Sequence, residues 1–88
     1  MPMKITDLLS HGQANAVPLR DLEGITGLDG RTVRAMISAE RRAVAAILSD
    51  NASGYYLPAN EEEKARFVRS MRHRAKEILC AADAVERS

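Results

Sequence analysis

The chain has 88 residues, a formal net charge of +1, one cysteine and 3% aromatic residues. That length holds one domain, or one domain with an extended terminal element, around a modest core. The lone Cys80 excludes an internal disulfide and argues against a cysteine-built zinc site, and the scarcity of aromatics argues against a base-stacking platform for single strands. No apolar run is long enough to cross a membrane and no signal-peptide pattern opens the chain, so a soluble cytoplasmic protein is expected.

In chain order, Ile5, Leu8 and Leu9 have helical spacing and predict a short first helix that stops near Gly12. The segment from His11 to Asn15 is a polar loop, and Ala16-Val17 reads as a brief strand. Leu19, Leu22 and Ile25 are spaced by three and fall on one side of a second short helix. Pro18 suits its first turn, because the missing amide hydrogen would be unpaired there. Gly27 can take the left-handed conformation that ends a helix.

Asp29 is the expected N-cap of a third helix. At about 100° per residue, Val33, Met36, Ile37, Glu40 and Val44 gather on one side of it, and Arg31, Arg34, Ala35, Ser38 and Arg42 on the other. Glu40 is the misfit on the apolar side, expected at its boundary beside a basic neighbour. Ala46-Ile47-Leu48 reads as a strand. The five residues from Asp50 to Gly54 are turn formers, and Tyr55-Tyr56-Leu57 returns as the second strand of a hairpin. The two tyrosines alternate, so one should pack inward.

Asn60 followed by Glu63 fits a variant capping box, with Glu61 to Glu63 at the positive end of the helix dipole. The last helix then meets no breaker. About 25 residues at about 1.5 Å each span roughly 37 Å, longer than a small globule needs. These elements divide the chain into residues 1–58 and a C-terminal helix over 59–88.

Charge is distributed unevenly. From Arg31 to Arg42 four arginines face one acid, and from Lys64 to Lys76 six cations face none. Basic faces on a near-neutral chain can hold phosphate. Arginine can donate two hydrogen bonds to guanine in the major groove, or grip phosphate. The small Ala35 and Ser38 between the arginines permit close approach. A merely solvated helix face explains the same residues without a ligand. The hairpin loop has no Lys or Arg, so phosphate contacts there would fall to backbone amides, Asn51 or Ser53.

The ordered set of Leu22, the turn from Gly27 to Gly30, Arg31-Thr32-Val33-Arg34, Ile37, Arg41, Ile47 and Gly54-Tyr55-Tyr56-Leu57 resembles the winged helix-turn-helix proteins, and small prophage-type DNA-binding proteins in particular. The resemblance covers Ile5 to Leu57. It implies a mainly α fold with a small β-hairpin wing. It also implies a DNA-binding role for Arg31, Thr32, Arg34, Ala35, Ser38 and Arg42. The sequence departs from that pattern at Pro18, where a Ser or Thr cap is usual, and at Val44, where a glycine often ends the recognition helix.

In the last helix, Val68, Met71, Ala75, Ile78, Ala82 and Val85 recur at alternating steps of three and four, a heptad seam over about two and a half repeats. One reading is a homodimerisation helix. The other is a helix folded back on its own core, filled by Phe67, Met71 and Leu79. Arg66, Arg69, Arg72, His73 and Lys76 form a basic band beside the seam, and Cys80 is placed at its border as a packing residue. His11 and His73 have no ligand partners by spacing, so no metal and no cofactor is expected. No nucleophile, base and orienter sit together, and no phosphate-cradling glycine loop opens a helix, so an enzyme is not expected. The reading is sequence-specific binding of double-stranded DNA by a transcriptional or phage-type regulator. The alternative is a protein-protein interaction module that uses the third or the last helix.

Overall fold

A computed structural model describes residues 3–88. The protein is mainly helical, with one two-stranded antiparallel hairpin and a long C-terminal helix. The first predicted helix is a single 3-10 turn, Ile5–Leu8, and the polar loop contains a second, Gln13–Asn15. Three α-helices follow: α1 (Leu19–Thr26), α2 (Gly30–Arg42) and α3 (Glu61–Arg87). The strands β1 (Leu48–Asp50) and β2 (Gly54–Tyr56) separate α2 from α3.

The core is built from Ile5, Leu9, Leu22, Val33, Ile37 and Ile47, with Val17, Leu19, Met36, Tyr55 and Leu57 packed against it. Leu22 and Leu19 therefore carry the inner side of α1. Ile25, predicted beside them, is exposed. In a helix of only eight residues, α2 covers one turn and leaves the last one in water. Pro18 is the residue before α1, not its first turn, and no side chain caps that end. Gly27 closes α1 with φ 73°, a conformation that would strain any side chain.

The hairpin is sandwiched. Leu48 pairs with Tyr56 in register, and both are buried. Alternation sends Tyr55 to the core and Tyr56 to the opposite face, beside Glu63, Arg66 and Phe67 of α3. Burial, reinforced by the nearby carboxylates of Glu63 and Asp50, raises the Tyr56 phenol above its ordinary pKa. The strands lie one or two residues away from their predicted positions. Ala46 and Ile47 precede β1, and the loop has three residues, 51–53, not five.

The outer edge of β2 is occupied by the N-terminal segment. Val17 and Tyr55 exchange both backbone hydrogen bonds, at 2.8 and 2.9 Å. The predicted strand at Ala16-Val17 is thus a single bridge that keeps β2 from offering an open edge. Gly54 is required at this crossing. Its φ is +112°, and a Cβ there would stand 2.7 Å from Pro18 Cα and closer still to the Val17 carbonyl.

The Asn60 half of the predicted capping box forms at the start of α3, and the reciprocal bond from Glu63 goes to other amides. Asn60 Oδ1 accepts from the Glu63 amide at 2.8 Å. The Glu63 carboxylate reaches back to the amides of Ala59 at 2.9 Å and Gln13 at 3.3 Å. Its first two turns pack on the body, chiefly through Glu63, Phe67 and Val68. Every residue from Arg69 onward is exposed. The folded-back packing through Met71 and Leu79 is therefore not what forms: both are exposed. No helix among the described residues is long and apolar enough to cross a membrane.

Candidate nucleic-acid interface

α2 is held from both ends of the chain, which fixes the side it turns to solvent. Asp29 caps it, accepting from the Thr32 amide at 2.9 Å. Hydrogen bonds from the Thr32 side chain and backbone hold the Asp29 carboxyl below its usual pKa. Val33 and Ile37 are buried. Glu40, expected beside a basic neighbour, pairs instead with backbone. Its two oxygens accept from the amides of Ile5 at 2.7 Å and Thr6 at 3.1 Å, so one carboxylate caps the N-terminal turn from 35 residues away. An acid can sit half-buried there because two N–H dipoles replace its water.

Arg41, next along the helix, also turns inward. Its Nε donates to the Ile47 carbonyl at 2.8 Å and a terminal nitrogen to Ser49 Oγ at 3.3 Å. The guanidinium carbon stands 5.5 Å from the centre of the Phe67 ring. Burial holds this arginine below its ordinary pKa, although the group stays charged at any pH in ordinary use. Of the four arginines counted in this stretch, three remain for solvent.

The helix stops at Arg42 and Ala43. Val44, predicted on the apolar side, is 92% exposed with φ 71°. It takes the left-handed conformation a glycine would adopt more readily, and its side chain points away from everything it was expected to cover.

The solvent face of α2 carries Arg31, Thr32, Arg34, Ala35, Ser38 and Arg42, all exposed. None of these three arginines forms an ion pair among the described residues. The acids of this helix and its cap are engaged elsewhere, so no carboxylate of α2 dilutes the face. Thr32 is partly committed to the Asp29 cap.

The hairpin loop stands beside the same face. Arg34, Asn51 and Ser53 line one open cleft of about 270 Å³, together with Pro18, Asp50 and Tyr55. The structure thus gathers Arg34 with the two loop residues, while Arg31 and Arg42 lie farther along the helix outside this cleft. Two braces hold the loop. Asp50 Oδ1 accepts from the Ala52 amide at 2.7 Å, closing an Asx turn, and Asp50 Oδ2 accepts from Gln13 Nε2. The aspartate opening the turn was the available signal for the first; nothing local signals Gln13.

On α3, Arg66 pairs with Glu62 at 3.6 Å and His73 with Glu77 at 3.0 Å. The rest of the basic band is solvated. Cys80 is exposed; at about 100° per residue it falls on the side of α3 opposite the apolar stripe and not at its border. Among the described residues no three His, Cys, Asp or Glu side chains converge as a metal site would need. No family model, curated protein or solved structure matches this chain.

Proposed function

We propose that this protein binds double-stranded DNA sequence-specifically, as a cytoplasmic transcriptional or phage-type regulator with no catalytic role. In this reading α2 enters the major groove and the hairpin flanks it as a wing. The observation that carries it is the solvent face of α2. Three arginines without ion-pair partners among the described residues share it with Thr32, Ala35 and Ser38. Folding does not require that arrangement, and a polyanion does use it.

The division of labour follows from chemistry. Arg31, Arg34 and Arg42 can each donate a fork of hydrogen bonds to guanine N7 and O6, or to phosphate oxygens. Ala35 and Ser38 leave room for the groove floor. Asn51 and Ser53, across the cleft from Arg34, supply neutral donors to the flanking phosphates. A loop without cations suits a contact that sets register more than affinity.

The test is a duplex titration at two salt concentrations. Affinity should fall steeply with salt, because bound cations release counterions. Arg34→Ala and Arg42→Ala should each weaken binding by about 1–3 kcal/mol if they read bases. Unchanged affinity in variants that keep their circular dichroism refutes the assignment. The bare apolar stripe of α3 favours one other reading, a protein-protein interaction module. Its signature is salt-insensitive retention by a protein partner with no duplex binding.

A further inference from the structure

The distal two-thirds of α3 exposes a stripe that none of the described residues covers. Ile78, Leu79 and Val85 are 62%, 66% and 74% exposed, with Met71 beside them. Val68, Ala75 and Ala82 occupy one heptad position of the stripe, and Met71, Ile78 and Val85 the other. A row of this kind, on a helix that reaches well beyond the body, is unneeded for folding and fits a partner helix.

Size and charge together select that partner. In a parallel, in-register pair, Ala75 would face Ala75 and Ala82 would face Ala82, leaving two voids. In an antiparallel pair Ala75 faces the partner's Ile78, Ala82 faces the partner's Met71, and Val68 faces the partner's Val85. Every small residue then meets a large one. Charge agrees. Lys64 to Lys76 holds six cations and no acid, while Glu77 to Arg87 holds Glu77, Asp83 and Glu86 against one arginine. Parallel pairing sets the basic block on itself. Antiparallel pairing sets it against the acidic block.

We propose that α3 pairs with α3 of a second copy of this chain, antiparallel, with the two-fold axis between Lys76 and Glu77. That register pairs all six stripe residues. It brings the partner's Val85 to the apolar groove at the root of α3, lined by Ala46, Leu48, Phe67, Val68 and Met71. Leu79, at the flank of the stripe, lies against the aliphatic stem of the partner's Arg72. The pairing stands independently of the DNA-binding reading.

The experiment uses the full chain with Cys80→Ser and Ser88→Cys, spin-labelled at position 88. Sedimentation should give twice the chain mass, and pulsed electron resonance a label separation of about 35–40 Å. A separation under about 20 Å means a parallel pair, and a monomer at every concentration means no pair; either overturns the proposal. Ile78→Glu should abolish dimerisation while leaving circular dichroism intact, and a dimer that survives it counts against the seam. Duplex titration of the same proteins keeps the two ideas apart. A dimer of this geometry that ignores DNA defeats the DNA reading alone, and a monomer that binds duplex defeats the pairing alone.

Discussion

The body of the protein and the distal part of α3 use apolar residues in opposite ways. In the body, Ile5, Leu22, Val33, Ile37 and Ile47 are buried by elements far apart in sequence. Beyond Val68, comparably apolar residues recur at regular spacing and stay in water. The contrast separates what the monomer needs from what it offers. Burial accounts for the first set, so those residues carry no evidence about a ligand. The second set, like the arginines of α2, remains unexplained until something outside the chain is brought to it.

The largest effect expected in the body is from Gly54→Ala. A left-handed φ and a collision with the Val17 carbonyl act together, and a loss of about 4 kcal/mol in urea unfolding is expected. Leu22→Ala follows, at about 3 kcal/mol, because its site is closed on all sides. The matching truncation Leu79→Ala, measured at a protein concentration too low for self-association, should cost less than about 0.5 kcal/mol. Equal losses at the two leucines would erase the contrast between body and distal helix.

Arg41→Ala should cost about 2 kcal/mol, since it strands the Ile47 carbonyl and uncovers Phe67. Arg42→Ala, one residue on, should leave stability nearly unchanged, and thermal unfolding of the pair tests which arginine is structural. Val44→Gly should stabilise by about 0.5–1 kcal/mol, relief of left-handed strain outweighing the added freedom of the unfolded chain. The smallest effect is the acid limb contributed by Asp29. Its folded pKa is lowered, so its contribution is present above the unfolded value and is lost as pH falls through the folded one. In Asp29→Ala that part of the acid limb should vanish from a pH series of unfolding midpoints.

How much was legible in the sequence depends on the range of each interaction. The Asp29 and Asn60 caps and the Gly27 stop are bonds between residues three or four apart, and local spacing was enough to read them. The solvent face of α2 followed from helical periodicity, except for Thr32, which the resemblance supplied. Periodicity says which residues share a side, however, and not how far a neighbour covers it, so Ile25 was placed inside. Val44 was lost because it lies past the last helical turn, where the wheel no longer applies. The partners of Glu40 and the brace from Gln13 to Asp50 join residues more than thirty positions apart. No local pattern encodes them. The strand limits slipped because Ile47 is buried like a strand residue while its carbonyl serves Arg41.

Glu40 and Arg41 are neighbours of opposite charge, and both grip the body from sides of α2 about 100° apart. One holds the amino-terminal turn, and the other holds the entry to the hairpin. Between them they stop the helix from rolling about its own axis, so its outward arginines have a fixed azimuth before any encounter. A pre-set surface surrenders little orientational freedom on docking. Under the proposed DNA-binding role, damage to either clamp would therefore blur discrimination between targets, even though neither side chain would face one.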